Sequence, residues 1–349
     1  MFPIDEEGEQ LRAMRYFLLI GAVIAMMATW TGAWFYVAGQ VRTAVEAYIT
    51  EDIPGWNITY KTLKIEGFPF RIKIDVQMPR LVLSGERGTI RWETNHISAM
   101  RHLWQPRHVL VDLTGQHRIT VNRAGQTHHF IHDNDLATSS IETDEGGRLR
   151  LLSLDITSPE LKSDSKATAQ GKRLQIRAGW NPDSILNMDL ALRGDQITFS
   201  EKFLNRDLKV QWGDIRLLDL NTTVTGLPDD MAMAMLVSQW RDGGGTVEVG
   251  QLRLQWGEVD ITAKGSLALD ERMRLIGALT AQIKGYEKLI DLAVATGDLG
   301  DGGEVAARAV LGLLAAAGGG ILSVPVRLQD GQLFLGPAVI AKLQPLPLD

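Results

Sequence analysis

The chain of 349 residues carries 36 basic and 42 acidic side chains, a formal net charge of −6, which argues against a basic nucleic-acid footprint. Hydrophobic residues make up 45% and charged residues 22%, enough apolar material for a substantial core and too much for a disordered chain. Cysteine is absent, which excludes disulfides, thiolate metal sites, a cysteine nucleophile and a lipidated cysteine anchor.

The first element in chain order is apolar. From Tyr16 to Val41, 26 residues, no side chain is charged, and a bilayer-spanning helix needs roughly 20. Tyr16 and Phe17 mark one end; Trp34, Phe35 and Tyr36 mark the other, as interfacial aromatic belts do. Arg12 and Arg15 precede the segment and only Arg42 follows closely, which places the N-terminus in the cytoplasm. A cleaved signal peptide shares the basic start, but its apolar run is shorter and no Ala-x-Ala site closes this one well. The expected layout is a cytoplasmic tail over 1–15, a transmembrane helix over 16–38, and a juxtamembrane helix or linker over 39–55 ending at Pro54-Gly55.

Beyond Trp56 the dominant period is two. In Arg71-Ile72-Lys73-Ile74-Asp75-Val76-Gln77-Met78 every even position is apolar and every odd one polar, a strand with one dry and one wet face. Further short runs follow at about 8–12-residue spacing with turn residues between them, the pattern of an antiparallel all-β architecture. Helical segments are expected late: Met231–Trp240, Tyr286–Ala295 and Glu304–Ala317. Gln211-Trp212-Gly213-Asp214 and Gln255-Trp256-Gly257-Glu258 form a faint internal echo between alternating runs. A soft boundary near Gly226 separates a β-rich portion, 56–226, from a β-plus-helix portion, 227–349, that continues the sheet.

Chemical candidates are few. All seven histidines lie between His96 and His132, densest at His128-His129-Phe130-Ile131-His132. On a strand, alternation puts His128 with Phe130 on one face and His129 with Ile131 on the other, a poor ligand geometry, so no metal is expected. Asp298-Leu299-Gly300-Asp301-Gly302-Gly303-Glu304 lacks the alternating acids of a calcium loop. No nucleophile elbow, phosphate loop, dinucleotide fingerprint or His-Glu-x-x-His is present. No catalytic residue and no cofactor is assigned.

Three groups of residues carry a resemblance. One is Gly67-Phe68-Pro69-Phe70-Arg71 after a single anchor. Another is the run Gly244-Gly245-Thr246-Val247-Glu248-Val249, Leu254-Gln255-Trp256-Gly257, Gly265-Ser266-Leu267 and Gly277-Ala278-Leu279. The last is Val324-Pro325-Val326, Asp330-Gly331-Gln332-Leu333, Leu335-Gly336-Pro337 and Leu343-Gln344-Pro345-Leu346. Together they resemble an alphaproteobacterial family of envelope proteins of unknown function and, more distantly, AsmA-like proteins. The resemblance implies an inner-membrane-anchored, β-rich periplasmic protein with a lipid-binding groove, and it transfers no catalytic residue.

The expected fold is mainly β with a few C-terminal helices: an N-terminal transmembrane helix followed by a curved antiparallel sheet, half-barrel or groove. Each dry strand face must be buried against something, and three short helices are little cover. The expected function is binding or passing lipid-like molecules, or envelope organisation, with Ile72, Ile74, Val76 and Met78 lining a groove and Phe68 and Phe70 at its mouth. A sealed structural scaffold is the alternative and an envelope hydrolase stands third. Expected partners are the inner membrane, a lipid-like ligand and other envelope proteins, with no nucleic acid.

Overall fold

The computed structural model describes residues 6–50, 55–85, 88–123, 125–164, 168–181, 184–200, 213–227 and 236–346. The chain opens with one long helix, α1 (Glu6–Thr50). Its 45 residues span about 68 Å at 1.5 Å per residue. From Met14 to Thr29 its side chains are exposed all round, so this half is an apolar rod that packs on none of the described residues. From Trp34 a single stripe (Trp34, Val37, Ala38, Val41) turns toward the sheet, packing on Ile65, Ile72 and Leu103. The juxtamembrane segment is therefore a continuation of the same helix, as the sequence suggests through Tyr48. Pro54 lies outside the described residues.

Everything after α1 is dominated by one open antiparallel sheet, not closed into a barrel. Its long arm holds fifteen strands in the order β2 (Thr62–Glu66), β3 (Arg71–Gln77), β6 (His96–His102), β7 (His108–Asp112), β10 (Leu136–Thr143), β11 (Leu149–Thr157), β14 (Arg173–Asn181), β15 (Ser184–Phe199), β16 (Ile215–Thr225), β17 (Thr246–Trp256), β18 (Val259–Leu269), β19 (Leu275–Lys284), β20 (Leu322–Gln329), β21 (Gln332–Leu335) and β22 (Ala338–Lys342). The short arm holds β1 (Trp56–Thr59), β4 (Arg80–Gly85), β5 (Gly88–Thr94), β8 (His117–Arg123), β9 (Gln126–Asp133), β12 (Glu160–Ser163) and β13 (Thr168–Gln170), and joins the long arm where β13 pairs with the end of β15. Pairing of β16 with β17 carries the sheet across Gly226 without a break.

The arms are halves of the same extended chain segments, interrupted along one crease. Where the sequence reads Ile90–Ile97 as one run, the structure breaks it at Asn95 into β5 and β6. At the crease the alternation slips by one. Ile72, Ile74 and Val76 are apolar at even numbers, then Leu81 and Leu83 at odd ones; Leu152, Leu154 and Ile156 give way to Leu161. Met78, Ser158 and Gln196 sit at the slips with φ of 49°, 51° and 51°. An extra residue in a strand acts as a bulge: it bends the strand and lets the apolar positions stay on one side after the phase change. On that side His117 (5% exposed), Asn134 (7%) and Ala137 (2%) are buried at the bend, so the apolar side is the sheltered one.

The wet side carries a cross-strand charge ladder. Arg173 Nε donates to Asp155 Oδ1 at 2.8 Å, Arg193 faces Asp219 at 3.6 Å, and His96 Nε2 lies 2.7 Å from Asp75 Oδ2. Such exposed pairs add little stability each, but a one-residue slip would set Arg193 opposite Leu218 or Leu220 instead of Asp219, so they help pin register.

The helices gather at the C-terminal end. α2 is described over Leu236–Asp242, residues 231–235 of the expected helix lying outside the described residues; its Trp240 Nε1 donates to Thr225 O at 2.7 Å. α3 (Glu287–Ala295) and α4 (Asp301–Ala317) form the main core with β18, β19 and β20, where Ile290, Leu311 and Leu322 are fully buried. Leu311→Ala should lower the stability of the full-length protein by about 2–5 kcal/mol. Leu313→Ala, at a position 75% exposed on the same helix, should change it by less than about 0.5 kcal/mol. Urea denaturation in detergent measures both.

Candidate hydrophobic groove

The pairing register shows where the dry faces go. Across the first six strands of the long arm, directly opposed residues are Ile65, Ile74, Ala99, Val111, Ser139 and Leu154. The same row continues as Ile176, Leu192, Leu220, Leu252, Ala263, Ala281 and Val324. Of thirteen successive strands only one, at Ser139, places a polar side chain in this row. With strands about 4.8 Å apart the row runs roughly 55–60 Å along the sheet.

Among the described residues, cover is supplied at the ends alone. At the near end α1 lies over Ile72, which is 2% exposed. At the far end α3 and α4 bury Ala263, Ala281 and Val324. Between them Leu154, Ile176, Leu192, Leu220 and Leu252 are only half-buried, and Leu152 beside them is 37% exposed. Leaving an aliphatic side chain half in water forgoes on the order of 1 kcal/mol of the 1.5–3 available.

The short arm extends the dry side past the crease: Ile58, Leu81, Trp92, Ile119 and Phe130 form a second apolar row. Where the rows meet, Trp92, His117 and His132 stack as successive rings with centroids 5.8 Å apart. His117 Nε2 is 2.7 Å from the carbonyl of Leu113, and the Asn134 amide donates to the carbonyls of Leu113 and Gly115. This polar spine satisfies the backbone groups released where the ladder breaks.

Two cavities open on the dry side. One of about 300 Å³ lies between α1 and the near end, lined by Val41, Val45, Ile74, Ala99 and Val109, with Arg101 at its rim. The other, about 360 Å³, has an entirely apolar lining that includes Val224, Val237, Trp240, Val247, Leu267 and Leu346. A wider depression, about 770 Å³, is elsewhere: most of its lining, including Arg177, Asp189, Thr223, Glu248 and Lys264, belongs to the wet side. Its acids are already engaged, Thr223 Oγ1 with Asp189 and Ser266 Oγ with Glu248, both at 2.7 Å.

The residues named from sequence separate into three groups. Ile74 and Val76 lie on the long dry row's side, Ile74 lining the near cavity. Ile72 is on that side too and also lines the near cavity, although Trp34 and Ala38 pack on it and leave it only 2% exposed. Met78 leaves it: simple alternation puts it on the dry face, but its positive φ marks the crease slip and turns it outward, 56% exposed. Phe68 and Phe70 do not line either cavity. Phe68 packs against Trp34 and Phe35, with centroids 5.5 and 6.1 Å away, and Phe70 leans on Trp104 at 6.4 Å. The mid-sheet leucines and Trp104 were missed. Their alternation is legible in sequence, but which strands are neighbours is not.

The histidines disperse. His128 and Phe130 share a face opposite Val121 and Ile119, as alternation requires. His96 pairs with Asp75, His108 with Ser140, and His102 stacks on Trp104. Among the described residues no three His, Asp or Glu side chains converge to hold a metal ion.

Burial, and then the neighbouring His117, push the His132 imidazole below its ordinary value, while the adjacent Asp133 and the Glu160 backbone oppose this weakly. The folded state therefore favours neutral His132. Its contribution is complete above the ordinary imidazole value of about 6.5 and is lost as pH falls from there through the depressed folded value. The urea midpoint of the full-length protein should fall between about pH 7.5 and pH 5.5, and less steeply in His132→Gln.

No curated protein and no solved structure matches the chain. A family model does, over residues 34–344, a span that begins at the helix stripe and covers the whole sheet. The chain belongs to the family described as an uncharacterized protein conserved in bacteria (DUF2125).

Proposed function

We propose that this protein is an inner-membrane-anchored periplasmic carrier, in which lipid-like molecules lie against the dry side of the long arm. The observation that carries the reading is the thirteen-strand row, apolar at all but one position and, among the described residues, covered by helices only at its ends. α1 is long and apolar enough to span a membrane. The bias of Arg12 and Arg15 over Arg42 supports a cytoplasmic N-terminus and hence an exported sheet. An acyl chain exposed to water costs about 0.8 kcal/mol per methylene, so a tethered dry surface gives such a chain a place to leave the bilayer. The groove is built by the middle of the sheet, Leu154 to Leu252, more than by the strand β3 residues that sequence singles out. The role is one of carriage and assigns no catalytic step.

A photoreactive amino acid placed in the full-length protein in cells tests this. Positions Leu192 and Leu220 should give lipid adducts, while Arg193 and Asp219, one residue along on the wet side, should not. Adducts on neither side, or equally on both, would overturn the reading; protein adducts at Leu192 and Leu220 would replace it with the scaffold. Leu192→Asp with Leu220→Asp should lower co-purified lipid at least about tenfold, since each carboxylate would have to be desolvated against a hydrocarbon chain.

A further inference from the structure

The corner between β2 and β3 is more than a turn. Gly67 takes φ of 105°, and a Cβ there would come 2.6 Å from the Arg71 carbonyl, so the tight closure of Arg71 N on Gly67 O needs glycine. The closure pushes Phe68 and Phe70 outward, 50% and 57% exposed. Trp104, on the next hairpin, joins them at 62%. Three large aromatic side chains half in water at one end of a sheet require an explanation, because aromatics dominate burial energetics.

Their position supplies one. The corner is fastened to α1 by two hydrogen bonds: Trp30 Nε1 donates to Pro69 O at 2.9 Å and Trp34 Nε1 to Arg71 O at 3.0 Å. A hydrocarbon core of about 30 Å takes roughly 20 helical residues, so a span that begins after Arg15 ends near Phe35. Trp30 lies five residues short of that point, about 7–8 Å inside the boundary. The corner therefore runs from about that depth at Pro69, held by Trp30, up to the acyl–headgroup boundary at Arg71, held by Trp34, a zone where Trp, Tyr and Phe are favoured. Arg71, exposed immediately after Phe70, sits where a cation meets lipid phosphates.

We propose that Phe68, Phe70 and Trp104 insert into the bilayer surface, making a second membrane contact that seats the near end of the groove on the leaflet where α1 emerges. This rests on the anchor reading of α1. It adds that the sheet stands upright on the interface, with the near cavity opening beside Val41 and Val45, about 9–15 Å beyond Phe35 and just above the headgroups of that leaflet.

The natural chain has no cysteine, so single labels need no background removal. Full-length protein carrying Phe70→Cys, Trp104→Cys, Met78→Cys or Ile20→Cys, each labelled with an environment-sensitive fluorophore, is placed in phosphatidylethanolamine–phosphatidylglycerol nanodiscs. Lipids spin-labelled at shallow or deep positions then report depth by quenching. Labels at 70 and 104 should be quenched most by shallow lipids. The label at 78, eight residues or about 26 Å beyond Phe70 and just past the far end of β3, should not be quenched. Quenching at 20 by deep lipids shows that the anchor is in place.

With 20 quenched, silence at both 70 and 104 would overturn the insertion and leave the anchor reading intact. Equal quenching at 78 would overturn the upright seating, since the sheet would then lie flat. Silence at 20 would remove the anchor reading itself. Phe70 and Trp104 are on different hairpins, so a fold defect from one substitution does not mimic the result of both.

Discussion

The structure depends on an excess of apolar sheet over apolar cover. Alternation in each strand makes one dry face, and antiparallel pairing adds these faces side by side until they form a surface more than ten strands wide. Closure into a barrel or stacking into a sandwich would bury such a surface; this sheet does neither. Helices are placed at its two ends, α1 at one and α3 with α4 at the other. The core clusters lie beneath α1, beneath α2 and beneath α3 with α4, while much of the middle, Leu192 and Leu220 among it, is left half-buried.

The crease is what makes this tolerable. A flat sheet of such width would expose its dry side fully and present it to other copies. One extra residue per strand, marked by positive φ at Met78, Ser158 and Gln196, folds the sheet along a line while keeping apolar residues on the sheltered side. The broken ladder leaves backbone carbonyls without partners there, and the buried His117 and Asn134 answer them. The curvature that shapes the groove and the polar spine at its base are thus one feature, and the His132 ring placed within it inherits a preference for neutrality.

The near end joins two further roles. Trp30 and Trp34, four residues apart on α1, tie the exposed apolar half of the helix to the β2–β3 corner through indole hydrogen bonds to backbone carbonyls. The same corner turns Phe68 and Phe70 away from the sheet. Sheet orientation relative to the helix is set at this point, where the cavity beside Ile74 opens.

Sequence alone determined what is local. Period-two alternation in Arg71–Gln77, the uncharged run from Tyr16 to Val41, and the acidic and glycine-rich ends of the last helices each encode their element within a few residues, because side-chain spacing and backbone preference act at short range. It also determined that dry faces outnumber helices. Tertiary structure decided which faces meet. The opposition of Leu192 to Ile176 and Leu220, and of Ala281 to Val324, comes from pairing between residues up to forty or more apart, and no local periodicity records it. The same holds for Met78, where alternation and chain geometry part: a one-residue slip changes the face of every residue beyond it, and only the partner strand shows that the slip has happened.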